Sequence, residues 1–267
     1  MTIVTTPVRP FGAYLRIWRQ RRRISQLDLA LDAEISQKHL SFVESGRSTP
    51  SRPMVLRLAE RLQMPLRERN ALLLAAGYAP EFAERALDDP GFKPARDAVD
   101  LILKGHEPYP ALAVDRHWTL VAANGAVAPL LAGVAEPSLL TPPVNVLRLS
   151  LHPRGLAPQI VNLAEWRSHL LERLRHQIEV TADAVLVRLM QELEAYPVPS
   201  DGAAAEARDY AGLVVPLRLR TSQGMLSLFS TTTVFGTPVD VTLSELAVEA
   251  FFPADAATAE ALRKASA

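Results

Sequence analysis

The sequence contains no cysteine. This excludes disulfides, cysteine-ligated zinc sites and thiol catalysis, and it agrees with the cytoplasmic location that we expect. The sequence also lacks an apolar run approaching the roughly 20 residues that cross a bilayer, so we expect no membrane partner. Its N-terminus has no charged start followed by an apolar stretch and therefore predicts no signal peptide.

Motifs typical of catalytic sites are also missing. The sequence has no HExxH, no GxSxG and no glycine-rich phosphate loop. His169 and His176 lie seven residues apart on one predicted helix, but no third metal ligand follows at a recognisable spacing. We therefore predict that the protein is not an enzyme and that it has neither a metal site nor a required cofactor.

Charge is distributed unevenly, although the formal net charge is zero. Residues 1–78 contain 13 Lys and Arg against 6 Asp and Glu, whereas the remaining 189 residues contain 16 against 23. Arg19 and the run Arg21-Arg22-Arg23 add to the basic part. A basic N-terminal third joined to an acidic remainder indicates an anionic partner for the first part alone.

The N-terminal part is predicted to form five short helices. Apolar residues recur at helical spacing over residues 11–22. Ser25 and Ser36 are suited to cap the next two helices, and Gly46 is suited to end the third. Two further helices precede Gly77. The residues expected on the buried side of the second helix are Leu27, Leu29, Ala30 and Leu31.

Several motif positions in this stretch fall in register with one known domain. They are Ser25-Gln26, Leu29-Ala30, Ile35-Ser36, Leu40, Glu44, Gly46-Arg47, Pro50, Leu58-Ala59 and Leu62. Over roughly residues 11–76 the chain resembles the helix-turn-helix domain of the Xre family, which includes phage repressors and Cro. The resemblance implies a lambda-repressor-like all-α domain that binds double-stranded DNA. The second of its two short helices would enter the major groove.

The polar start of that helix suggests which side chains contact DNA. Gln37 can pair with adenine through its amide, and Lys38 can donate to guanine or meet a phosphate. Phe42 stands where many relatives have a polar residue, so it can touch a thymine methyl or lie against the backbone. The predicted base-reading residues are Gln37, Lys38, His39, Ser41 and Phe42. The predicted phosphate contacts are Arg23, Ser25, Gln26, Ser45 and Arg47.

Arg19 and Glu44 match a pair that forms an internal salt bridge in phage repressors of this family. The resemblance therefore implies a structural ion pair, and neither residue is expected to contact bases.

The rest of the chain predicts a multidomain protein. We expect the helix-turn-helix domain at residues 1–78, a linker with a connecting helix at 79–104, and an α+β domain with an antiparallel sheet at 105–267. In that domain, two short strands precede several helices, with a helix start at Asn124. A turn and a helix start are predicted near residue 200, and three strands and a terminal helix end the domain.

Three segments of the C-terminal part carry a second resemblance. They are "PALAVDRHWTLVAANGAVAPLL", "NVLRLSLHPRGLAPQIVNLAEWRSHLLERLRHQ" and the terminal strands. Over roughly residues 105–265 the chain resembles the ligand-binding domain of MmyB-like transcription regulators, which has a PAS-like fold. The resemblance implies regulation by a small hydrophobic ligand, with fatty-acid-like molecules as a plausible class. A reader domain followed by a sensor domain fits a one-component transcriptional regulator.

A half-open sheet covered by helices commonly encloses an apolar cavity with a few polar anchors. An Arg can hold a carboxylate with two parallel hydrogen bonds. The alternative for each residue is ordinary core packing or a solvated surface charge. The predicted apolar wall residues are Leu112, Trp118, Leu131, Leu149, Trp166, Leu170 and Phe229. The predicted anchors for an acidic head group are Arg148, His152 and Arg173.

Two functions remain open at this point. In the first, a homodimeric DNA-binding regulator senses a small hydrophobic ligand, for example a bound fatty acid. In the second, the C-terminal domain is a protein-interaction or oligomerisation module without a small-molecule ligand. An internal apolar cavity favours the first function, and a packed core without a void favours the second.

Overall fold

The structure is a computed structural model that describes residues 10–197, 214–222 and 224–265. The chain divides into two compact units. Unit 1 contains the described residues up to Glu84 together with Val239–Val241, and unit 2 contains those from Arg85 to Pro238 and from Thr242 onward. The turn and helix start predicted near residue 200 lie outside the described residues.

Unit 1 is helical. Its apolar core includes Leu15, Trp18, Leu40 and Leu58, each at most 1% exposed. The capping residues predicted for the second and third helices are confirmed, because the hydroxyls of Ser25 and Ser36 accept hydrogen bonds from backbone N–H groups. The helices are α1 (Phe11–Arg21), α2 (Gln26–Asp32), α3 (Gln37–Glu44), α4 (Arg52–Arg61) and α5 (Leu66–Ala75).

Helix α2 buries a narrower face than the sequence predicts. Leu29 and Ala30 are buried as expected, but Leu27 is 59% exposed and Leu31 is 75% exposed. Leu27 and Leu31 lie one turn apart on the face opposite Leu29. A seven-residue helix has room for one stripe against the core, so the prediction that all four apolar residues are buried is wrong.

Unit 2 is an α+β domain, which confirms the predicted fold class. Its helices are α6 (Lys93–Gly105), α7 (Val146–Leu151), α8 (Leu163–Thr181), α9 (Ala184–Glu194), α10 (Val241–Ser244), which begins at the boundary between the units, and α11 (Ala256–Ala265). Its strands are β1 (Ala111–Val114), β2 (Leu120–Ala123), β3 (Leu217–Thr221), β4 (Gly224–Val234) and β5 (Ala247–Pro253).

In the described residues the strands form one antiparallel sheet in the order β2-β1-β5-β4-β3. Strand β5 therefore lies in the middle, with β1 on one side and β4 on the other. Both faces of β5 are covered, since Val248 and Glu249 point to opposite faces and are each at most 4% exposed. Val248 packs in a cluster with Val99 and Leu103 of α6.

Helix α6 lies in unit 2 of the structure, whereas the sequence places a connecting helix within a linker at 79–104. Its Val99 and Leu103 are buried with Phe92 against Ala111 and Ala113 of β1. The charged residues of this segment occupy the other side of an amphipathic helix, so the helix packs on the sheet through its apolar stripe.

Asn124 was expected to start a helix, but it serves as a buried connection. Its amide oxygen accepts a hydrogen bond from the backbone N–H of Ala111, and its amide nitrogen donates to the carbonyls of Leu103 and Tyr109. The next regular element in the described chain is a 3-10 turn at Ala128–Leu131. The side chain thus joins the end of α6 to the start of β1.

Candidate functional site

The tight bend between α2 and α3 is built from local backbone geometry. Glu34 adopts the left-handed conformation with φ of 56°, and the N–H of Ile35 donates to the carbonyl of Ala30 at 2.9 Å. Ser36 then caps α3 by accepting the N–H of His39 at 3.1 Å. Because of these contacts, α2 ends and α3 begins within four residues of each other. The first turn of α3 is thereby exposed on the surface.

The candidate base-reading residues lie on α3. Gln37 and Lys38 are exposed in its first turn, whereas His39, Ser41 and Phe42 are half-buried. Two cations lie over the Phe42 ring, with Lys38 Nζ 5.7 Å and Arg47 Cζ 5.9 Å from its centroid. Cation–π attraction favours this position of both cations beside the ring.

The candidate phosphate contacts fall into two groups. Arg23 and Arg47 are exposed at the ends of α1 and α3. The polar side chains of the other three already have partners within the domain. Ser25 Oγ donates to Asp28 at 2.6 Å, Gln26 Nε2 donates to Glu44 at 2.8 Å, and Ser45 Oγ donates to the carbonyl of Phe42 at 3.2 Å.

Arg19 and Glu44 form an ion pair beneath this surface. The Glu44 side chain is fully buried and accepts from Arg19 Nε at 2.6 Å and from Arg19 Nη2 at 3.0 Å. Burial alone would raise the pKa of Glu44, but hydrogen bonds from Arg19 and Gln26 and the charges of Arg19 and Arg16 hold it below 4.5. One carboxylate thus ties α1 and α2 to the end of α3.

Gly12 is a structural residue of this site that the sequence analysis did not identify. A Cβ at Gly12 would lie 2.3 Å from the backbone oxygen of Glu44. Helix α1 therefore crosses the end of α3 at backbone contact, which only glycine permits. A glycine in the first turn of an otherwise ordinary amphipathic helix is the sequence signal for such a crossing.

Unit 2 contains an apolar cavity of about 330 Å³ between the sheet and helices α7 and α8. The indole N–H groups in its wall already have acceptors: Trp118 Nε1 donates to Gln177 at 2.7 Å, and Trp166 Nε1 donates to Ser150 at 3.1 Å. The residues predicted for the ligand site that line this cavity are Leu112, Trp118, Leu131, Leu149, Trp166, Leu170 and Arg173.

Three residues predicted for the ligand site do not line the cavity. The guanidinium of Arg148 is held by Glu192, with contacts of 2.8 Å at Nε and 2.8 Å at Nη2. His152 packs edge-on against Tyr196 at 5.1 Å between ring centroids. Phe229 stacks on Phe252 at 5.4 Å. Each prediction followed from residue type alone, and each side chain instead has a partner outside the cavity.

Glu249 is the functional candidate that the sequence analysis missed. It lines the cavity and is 4% exposed. Its carboxylate accepts from Arg173 at 2.6 and 3.1 Å and from the hydroxyl of Thr232, directly opposite on β4, at 2.8 Å. In the sequence, the sign of this residue is a single Glu within the otherwise apolar strand β5.

Burial and the charge of Arg173 also lower the pKa of nearby His169, which favours the neutral form of its imidazole.

In the described parts of the chain, no helix is both long and apolar enough to span a membrane. Nor do these residues contain a group of three or more His, Asp or Glu side chains arranged to hold a metal ion.

Comparison with known families assigns both units. The family model described as "MmyB-like transcription regulator ligand binding domain" matches residues 95–265, which is more than half of the chain. The model described as "Helix-turn-helix domain" matches residues 10–72. Both agree with the families predicted from the sequence. A search among curated proteins found no match.

Proposed function

Because the chain belongs to the family of transcription regulators with an MmyB-like ligand-binding domain, we propose that it controls transcription in response to a small hydrophobic ligand. The chain is a DNA-binding transcription regulator. Our proposal is that α3 reads the DNA sequence and that the cavity of unit 2 holds an apolar, fatty-acid-like molecule. The protein would act in the cytoplasm, in the compartment of its DNA target.

The cavity is the observation that carries the ligand proposal. Its volume of about 330 Å³ is at the lower end of the range of small-molecule sites, about 300–1,000 Å³. Its wall consists mainly of Leu, Val and Trp side chains with few polar groups. An apolar cavity of this size favours a ligand over the alternative of a packed interaction module. No cofactor is required by this proposal.

Control of transcription needs a difference in ligand affinity between two states of the protein. A ligand shifts such an equilibrium only when it binds one state more tightly than the other. We also propose a homodimer, because dimers with this type of DNA-binding domain contact half-sites about one helical turn, 34–36 Å, apart.

The first experiment is native mass spectrometry of the purified full chain, followed by solvent extraction and lipid analysis. A bound mass that is recovered as a long-chain amphiphile supports the proposal and identifies a compound to titrate. Native spectra also give the number of chains in the complex. Protein without bound mass, combined with no thermal shift across a lipid panel, would contradict the ligand proposal and favour the interaction module.

The DNA-reading residues are tested by selecting bound sequences from a random DNA library. Gln37→Ala combined with Lys38→Ala should lower the preference for the selected site over random DNA by at least about 10-fold, because each bidentate base contact contributes about 1–3 kcal/mol. Gln20→Ala combined with Lys104→Ala removes the same residue types from other exposed positions and should change nothing. An unchanged preference in the first variant would overturn the assignment to α3.

A further inference from the structure

The cavity of unit 2 contains an ion pair in an otherwise apolar wall. Among the described residues that line it, the charged side chains are Arg173 of α8 and Glu249 of β5. The two hydrogen bonds between them are 2.6 and 3.1 Å long. Thr232 completes the cluster, since its hydroxyl accepts from Arg173 at 2.8 Å and donates to Glu249 at 2.8 Å.

This geometry leaves the cavity with no net charge for an acidic ligand to neutralise. The guanidinium of Arg173 already donates to Glu249 through both terminal nitrogens, and its face lies 5.0 Å from the centroid of the Trp118 ring. A carboxylate would need to displace Glu249 from these donors. Glu249 is 4% exposed, so displacement would leave a buried charge without its partner.

Binding of a carboxylate beside the intact pair of Arg173 and Glu249 is also unfavourable. It would lie within a few ångströms of the Glu249 carboxylate in an apolar surrounding, and two like charges at that distance repel strongly. An uncharged head group neither displaces Glu249 from Arg173 nor is repelled by the Glu249 carboxylate. An alcohol, ester or amide needs one hydrogen-bond partner, and it leaves the pair between Arg173 and Glu249 in place.

On the basis of the proposed function, we infer that the cavity selects amphiphiles with an uncharged head group and rejects carboxylates, and that Glu249 sets this preference. The ligand is then fatty-acid-like in its chain but is an alcohol, ester or amide at its head. Arg173 serves to neutralise Glu249, which differs from the role of carboxylate anchor that the sequence suggested for it.

The test compares three probes with the same alkyl chain: dodecan-1-ol, methyl dodecanoate and sodium dodecanoate. Binding to the delipidated full chain is measured by tryptophan fluorescence, since Trp118 and Trp166 line the cavity. At about pH 8 free dodecanoic acid is ionised. We expect the alcohol or the ester to bind at least about 10-fold more tightly than dodecanoate, a modest difference compared with the penalty for opposing like charges.

Glu249→Gln should abolish this preference for uncharged head groups. The substitution keeps the shape of the side chain but frees the charge of Arg173, so dodecanoate should gain at least about 10-fold in affinity while dodecan-1-ol changes little. Glu192→Gln is the matched control, because Glu192 also pairs with an arginine, Arg148, but outside the cavity. It should leave the order of the three probes as in the wild type.

The outcomes separate this inference from the proposed function. Tighter binding of dodecanoate than of dodecan-1-ol to the wild type would overturn the inference while supporting a ligand site, and this comparison does not depend on the folding of any variant. A Glu249→Gln protein with a native circular dichroism spectrum and no gain for dodecanoate would overturn the role of Glu249. Absence of binding by all three probes would contradict the proposed function, and the inference with it.

Discussion

Glu44 shows how much of unit 1 depends on one side chain. It is buried in the last turn of α3 and accepts hydrogen bonds from Arg19 and Gln26, on two other segments of the domain. Removing one member of a buried ion pair costs more than the pair contributes, because the remaining charge stays buried without a partner. Arg19, with 11% of its side chain exposed, would be that charge.

Glu44→Gln should therefore lower the free energy of unfolding of unit 1 by about 3 kcal/mol. Urea unfolding followed by circular dichroism measures this loss. Glu60→Gln, at an exposed position of α4, is the control and should be near neutral. A loss of less than about 0.5 kcal/mol for Glu44→Gln, the usual range for surface substitutions, would show that the pair is not important for stability.

The lowered pKa of Glu44 predicts a dependence on pH with a definite sign. Its stabilising effect is complete above 4.5, the value in the unfolded chain, and is lost as the pH falls from there through the lower pKa of the folded state. The stability difference between wild type and Glu44→Gln should therefore shrink as the solution is acidified below about pH 4.5. A difference that is constant over this range would contradict the assignment.

At the scale of elements, the crossing of α1 over α3 leaves no room for a side chain at Gly12. Gly12→Ala places a Cβ 2.3 Å from the backbone oxygen of Glu44, which cannot move without shifting α3. We expect a loss of about 1–3 kcal/mol, although alanine is normally the better helix former. Thermal unfolding monitored at the helical signal measures the effect.

Gly105→Ala is the matched control for this substitution. Gly105 ends α6, and a Cβ there would meet no atom within 4 Å. The exchange should be neutral or stabilise the chain by a few tenths of a kcal/mol to about 1 kcal/mol. Equal effects of the two substitutions would show that helix propensity, and not the crossing of α1 and α3, decides the result at residue 12.

At the scale of the whole molecule, the division of charge predicts how DNA binding responds to salt. The basic residues of unit 1 would neutralise phosphates and release counterions, so log Kd should rise linearly with log salt concentration. Arg47→Ala should reduce the magnitude of this slope by about 1 if Arg47 contacts one phosphate. Titrations from low to physiological salt measure the slope, and an unchanged slope would remove Arg47 from the contacts.

A ligand in the cavity should also stabilise the chain by mass action. At a free concentration 100 times its Kd, a ligand that binds only the folded state adds about 2.7 kcal/mol to the free energy of unfolding. Because the cavity lies wholly within unit 2, the midpoint for unit 2 should rise with ligand concentration. Differential scanning calorimetry with dodecan-1-ol measures this, and an unchanged thermogram at saturating probe would contradict binding in the cavity.

The sequence by itself determined the features that depend on neighbouring residues. Ser25, Ser36 and Gly46 act through hydrogen bonds and backbone angles within a few positions of the chain, so the helices that they delimit were predictable. Trp166, Leu170 and Arg173 recur at helical spacing in α8, and all three line the cavity. The uneven charge distribution is likewise a property of the sequence alone.

Only the tertiary structure decided which polar groups meet. Arg148 and Arg173 are equivalent candidates in the sequence, but Arg148 lies against Glu192 on α9, whereas Arg173 meets Glu249, 76 residues away, inside the cavity. Leu27 and Leu31 are exposed because short helix α2 has only one covered face. Pairing and burial depend on which elements pack against a side chain, and local patterns do not carry that information.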